Sequence, residues 1–200
     1  MSPGRPPRTS GPRALCALAL LAAGCQRAGD SSLPRPSELP RPEASSAEAT
    51  SPESASYRIG GRDVALHDGK HEEPAAPGSA ARNTTILWGT PVAADLDGDG
   101  DQDAIVIIEN EPGGSGAFYY IAAATLDAGN YVGSSAVLLG DRIAPRTVTF
   151  ADGVVTVAFA ERRPGEPMST PPSVEVSRRF VYRDGELRPL EGGETGFARP

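Results

Sequence analysis

Cysteine is almost absent from this 200-residue chain, which holds only Cys16 and Cys25. A disulfide framework of the kind that staples small secreted domains is therefore excluded. Aromatic residues make up only 6%, so a core must be built largely from aliphatic side chains. No stretch of ten or more residues carries apolar side chains at helical spacing between caps, which argues against a helical fold. No apolar run reaches the roughly 20 residues of a membrane-spanning helix. Positive charge is also short: 19 Lys and Arg stand against 26 Asp and Glu, a net charge of -7. Such a chain has no electrostatic reason to hold nucleic acid. Histidine is limited to His67 and His71, neither inside a motif, and both are expected on the surface. Zinc chemistry is correspondingly unsupported.

Glycine (23) and proline (20) are plentiful, so much of the chain must be turn or tether. Near the start, Arg5, Arg8 and Arg13 precede an unbroken run of Ala, Leu and one Cys over residues 14–23. A positive flank before an apolar run of that length describes a signal-peptide core. The run ends in Leu21-Ala22-Ala23-Gly24-Cys25. Small residues before a cut and a cysteine just after it resemble the lipobox of bacterial lipoproteins, with Ala22 where Leu is usual. The resemblance implies residues 1–24 as a signal peptide and lipidation at Cys25, with palmitate-type acyl chains. Several chains on one residue hold a protein firmly, whereas one is marginal. Gln26 in place of Asp favours the outer membrane over the inner. Losing the three arginines would take the net charge from -7 to -10.

Residues 25–55 are mostly Pro, Ser, Glu and Ala, with Pro34, Pro36, Pro40 and Pro42 recurring. Such a segment cannot bury enough surface to offset its ordering entropy, and a disordered tether is expected. The texture changes at Tyr57. Short apolar runs then alternate with turn signals every eight to twelve residues, the pattern of an all-β domain over residues 56–200. Strands are expected over 57–59, 64–66, 84–88, 91–94, 104–108, 117–126, 131–139, 146–150, 154–160, 174–182 and near Leu187. Gly60-Gly61, Asp68-Gly69, Asp152-Gly153 and Asp184-Gly185 mark tight turns. Residues 104–108, Ala-Ile-Val-Ile-Ile, read as a central strand buried on both faces. The expected architecture is a meandering antiparallel sandwich or open barrel.

The strongest chemical signal is Asp95-Leu96-Asp97-Gly98-Asp99-Gly100-Asp101-Gln102-Asp103. Five carboxylates in nine residues repel unless a cation joins them. Side chains at positions 1, 3 and 5 converge when the chain curls, and Gly100 at position 6 permits the turn. Asp101 at position 7 offers its carbonyl and Asp103 closes the ring, as in the first part of an EF-hand loop. Val106 occupies position 12, where that loop needs Glu, and strands flank the segment. A calcium loop between two strands is expected, with Asp95, Asp97, Asp99, Asp101 and Asp103 as ligands.

The pattern DxDxDGxxD between strands resembles the calcium loop of FG-GAP and VCBS-type repeats. One copy does not imply their propeller. A wider resemblance rests on Ala76-Pro77-Gly78-Ser79, the acidic loop, residues 113–120, Gly140-Asp141-Arg142-Ile143, and residues 163–168 with Pro172-Ser173-Val174. It is to a family of uncharacterised bacterial lipoproteins, and it implies an envelope lipoprotein without adding a catalytic residue.

Enzymatic signals are weak. Gly113-Gly114-Ser115-Gly116-Ala117 misses the last glycine of a nucleophile elbow, and strand rather than helix follows. Asp141-Arg142 reads as a charge pair at a turn, and Glu161, Arg162, Arg163 and Glu166 as a mixed-charge patch. Asn83-Thr84-Thr85 matches a glycosylation acceptor without a context that uses it. Trp88, Tyr119 and Tyr120 suit core or cross-strand pairs better than a sugar platform. A non-enzymatic module with a protein or glycan partner in the envelope is the leading expectation. A carboxylate-based envelope hydrolase or sugar-processing enzyme, and an inhibitor or chaperone of another envelope protein, are the alternatives.

Overall fold

A computed structural model describes residues 49–192. The expected signal peptide, Cys25 and most of the tether lie outside the described residues. The described chain is all-β, with one short 3-10 turn at Pro52–Ser54. Its strands are β1 (Ser56–Ile59), β2 (Arg62–Ala65), β3 (Lys70–Pro74), β4 (Arg82–Ala94), β5 (Asp103–Glu111) and β6 (Phe118–Asp127). They continue as β7 (Asn130–Gly133), β8 (Val137–Asp141), β9 (Ala144–Ala151), β10 (Val154–Glu161), β11 (Val174–Arg183) and β12 (Glu186–Pro189).

Three layers result. A six-stranded antiparallel sheet runs β3-β4-β5-β6-β7, with β8 also paired to β6, and a four-stranded sheet runs β12-β11-β10-β9. The β1-β2 hairpin forms a small third layer. The period-two rule for strands explains why β5 is apolar throughout. Its odd residues Ile105 and Ile107 join Ile121, Val155, Val157, Phe159 and Phe180 in a core between the two large sheets. Its even residues Ala104, Val106 and Ile108 join Tyr57, Ile59, Leu66 and Ala122 under the hairpin. The expected sandwich is therefore present, and its central strand is buried on both faces. The tight turns follow their residue types: Asp152 and Gly153 take φ of 52° and 73°, the left-handed values of a two-residue hairpin loop.

Several elements differ from the expectations. Residues 131–139 form two strands, because Ser134 turns the chain. Its amide donates to Ala123 O and its hydroxyl accepts from Ala123 N, while Arg58 N donates to Ser134 O. Gly133 precedes that kink where β7 meets β1; a Cβ there would stand 2.3 Å from Ser56 O, so only glycine fits. The two short runs 84–88 and 91–94 are one strand, β4, whose pairing with β5 slips between Trp88 and Val92. Gly89 at φ 71° makes the bulge, and Pro91 has no amide to offer the ladder. Strand β3, Lys-His-Glu-Glu-Pro, carries no apolar pattern to betray it. It is recruited by pairing with β4 and by Glu72 between Lys70 and Arg82 at 2.7 and 2.8 Å.

Order also begins earlier than composition suggests. Ala49 and Ala55 are buried, Tyr131 N donates to Ala49 O, and Gly69 N donates to Glu53 O. The Tyr57 hydroxyl donates to Pro52 O at 2.7 Å. Burial, and then the charge of Glu53, push that hydroxyl's pKa up, so it stays a donor.

Candidate metal centre

The acidic loop connects β4 to β5, so both of its ends are fixed by paired strands of the central sheet. Between them the aspartates turn the chain by accepting from nearby amides, as short carboxylates do. Asp95 Oδ1 accepts from Gly98 N at 2.8 Å, Asp97 Oδ1 from Asp99 N at 3.2 Å, and Asp99 Oδ1 from Asp101 N at 2.8 Å. Gly98 and Gly100 take φ of 83° and 93°, where a side chain would be strained.

The five sequence candidates do not occupy equivalent places. Asp95, Asp97 and Asp99 are exposed, and each offers a carboxylate oxygen within 4.8 Å of the others. Oxygens held at roughly 2.4 Å by one calcium ion stand at most about twice that distance apart, so this trio has the span of one ion. It is the one group of that kind among the described residues. Its donors are hard oxygens without thiolate or imidazole, which suits a hard cation. Asp101 is exposed and outside that trio.

Asp103 is different: it is 1% exposed. Its Oδ2 accepts from Leu96 N at 2.8 Å and its Oδ1 from Leu126 N at 2.9 Å. It thus clamps the loop's second residue to the end of β6. Leu96 packs against the main core, and the Tyr131 hydroxyl donates to Gln102 O at 2.9 Å. These ties hold the loop from below and leave its carboxylates facing outward.

Electrostatics mark the cost of that arrangement. The Asp99 amide pulls the Asp97 carboxyl down, but desolvation and the charges of Asp103 and Asp99 outweigh it, and the net direction is upward. A carboxyl whose pKa is raised by folding supports the fold while protonated and loses that contribution as pH rises through the carboxylate range. A cation at the trio would act in the opposite sense.

The remaining sequence candidates resolve into structural roles. Ser115 lies in the loop between β5 and β6, with no helix after it. Asp141 Oδ1 accepts from Ala117 N at 3.1 Å and stands 3.2 Å from Arg142 Nε, a charge pair at the turn into β9. Arg162 donates to the carbonyls of Thr170 and Arg142, and Arg163 pairs with Glu166 at 3.3 Å. Tyr119 packs on the inter-sheet core and Tyr120 on the hairpin core, so the pair forms no common platform. Asn83 accepts from Asn110 Nδ2 and donates to Glu73. His71 Nδ1 lies 3.1 Å from Ala65 O. No family model, curated protein or solved structure matches this chain.

Proposed function

We propose that this protein is an exported envelope lipoprotein, anchored through Cys25 and favouring the outer membrane, whose β domain binds calcium in an FG-GAP-like loop. It acts as a non-enzymatic module that meets a protein or glycan partner. The observation that carries the reading is the trio Asp95, Asp97 and Asp99, gathered at the surface by a loop whose ends are strands of the central sheet. Asp101 would add its backbone carbonyl. Asp103 would act beneath the ion, since each of its oxygens is already engaged by an amide but keeps a second lone pair.

A loop with few ligands belongs to the weak class of extracellular calcium sites, with dissociation constants of about 10⁻⁴ to 10⁻³ M. At roughly ten to a hundred times that concentration, binding stabilises the fold by about 1.4–2.7 kcal/mol. In a domain of this size that raises the melting temperature by about 3–10 °C. Scanning calorimetry with calcium and then with a chelator measures it. The double variant Asp97→Ala/Asp99→Ala should lose the shift. A parent chain whose melting temperature ignores calcium would remove the calcium site.

The anchor is tested separately. In a bacterium that processes lipoproteins, the parent chain should incorporate labelled palmitate and partition with membranes. Cys25→Ser should lose both, to background. Label that persists in the variant would disprove the assignment to Cys25.

A further inference from the structure

Sheet edges present unpaired amides and carbonyls, and natural proteins blunt them with charge, proline and brevity. The edge strand β3 has Lys70, Glu72, Glu73 and Pro74 in five residues, and β12 has Glu186, Arg188 and Pro189 in four. At the remaining edge of the six-stranded sheet, Arg58 pairs with the chain beside β7, and Arg178 Nη1 donates to the β8 carbonyl of Leu139 at 2.7 Å. Strand β9 is the exception. It is the outer strand of the four-stranded sheet, eight residues long, and beyond Pro145 and Arg146 it reads Thr-Val-Thr-Phe-Ala.

The hairpin register fixes which groups of β9 face outward. Ala151 pairs with Val154 across the two-residue Asp152-Gly153 turn, Thr149 with Thr156 and Thr147 with Ala158. Alternation of the ladder leaves the amides and carbonyls of Val148 and Phe150 pointing away from β10. Among the described residues, no backbone group bonds to them. Their side chains pack on the inter-sheet core, while Thr147 and Thr149 are exposed on the other face. Beside this edge opens a cavity of about 210 Å³ lined by Trp88, Val92, Ile107, Pro145 and Arg146, with Trp88 still 36% exposed.

We infer that β9 pairs with β9 of a second copy of this chain, antiparallel across a two-fold axis through Thr149. Charge selects that register. The only charged side chain in β9 is Arg146, whose Nε lies 3.8 Å from Glu175 Oε1 of β11 in an exposed pair within the chain, and Asp152 follows the strand's other end. With Thr149 on the axis, Val148 faces the second copy's Phe150 as a hydrogen-bonded pair. Arg146, which the bulge opposite Ala158 and Phe159 leaves without a partner on β10, then lies at the end of the pairing nearest the other copy's Asp152, twice per dimer. Registers centred on Val148 or Phe150 lose that match. The second copy's Asp152-Gly153 turn falls beside Arg146, at the mouth of the Trp88 cavity. The two four-stranded sheets become one of eight strands.

The test uses the full chain in a non-ionic detergent. Sedimentation across a concentration series should show a monomer–dimer equilibrium. Thr149→Lys places like charges face to face on the axis and should raise the dimer dissociation constant by about tenfold or more. Arg146→Glu should weaken it similarly, and Arg146→Asp with Asp152→Lys should restore it. Far-UV circular dichroism confirms that each variant folds. Register is read by oxidation: Thr149→Cys should cross-link two copies, because a directly opposed pair lies within disulfide reach. Thr147→Cys should cross-link only together with Ala151→Cys, above the background from Cys16 and Cys25. A monomer at every concentration, or a dimer indifferent to Thr149→Lys, overturns the proposal, and efficient cross-linking by Thr147→Cys alone overturns the register.

Discussion

Replacing Asp103 by alanine is expected to cost the fold about 3–6 kcal/mol, read as a lower urea midpoint at unchanged slope. The reasoning is local. A hydrogen bond to a charged group contributes about 1.5–3 kcal/mol, and Asp103 accepts two of them while 1% exposed. Truncation strands the amides of Leu96 and Leu126 where water cannot reach them freely. Asp103→Asn keeps one acceptor oxygen and turns an amide donor toward the other N–H, so it should fall between parent and alanine. Asp101→Ala, at an exposed position a few ångströms along the same loop, should change stability by less than about 0.5 kcal/mol. If Asp103→Ala and Asp101→Ala unfold at the same urea concentration, the clamp has no energetic meaning.

Phe159→Ala should be nearly as damaging, at about 3–5 kcal/mol. The ring is fully buried on β10 between the two large sheets. The Arg178 guanidinium lies 5.2 Å from its centroid, so truncation opens a void and also removes the π-face under a half-buried cation. Phe159→Leu retains most of the volume and loses the ring. It should cost about 1–2 kcal/mol, and the difference between the two variants measures the packing contribution. Thermal and urea unfolding on both chains decide it. An alanine variant within about 1 kcal/mol of the parent would mean that the core closes around the gap.

Most of the fold was legible in the sequence where burial wrote it. Strand β5 could be placed because residues facing two cores leave no polar gaps, and the hairpin turns because Asp-Gly pairs tolerate left-handed backbone. Strand β3 was illegible, since Lys70, Glu72 and Glu73 owe their extended conformation to partners on β4 and not to their own hydrophobicity. The break between β7 and β8 was hidden for a related reason. Residues 131–139 are apolar enough for one strand, and only the tertiary approach of β1 to Gly133 and Ser134 turns the chain there. At the acidic loop, spacing brought Asp95, Asp97 and Asp99 to one point, as the side-chain geometry required. Spacing could not reveal that Asp103 is buried, because burial depends on β6, more than twenty residues further along.

The position of β5 in two cores has a consequence for how the molecule comes apart. Lifting the β1-β2 hairpin uncovers Ala104, Val106 and Ile108 but leaves every hydrogen bond of β5 to β4 and β6 intact. Hydrogen exchange should therefore find the hairpin layer opening before the central sheet. In the same measurement the amides of β5 should open only with disassembly of the whole domain. The acidic loop is attached directly to that last-opening strand through Asp103, so whatever the loop binds is coupled to global unfolding and not to local breathing.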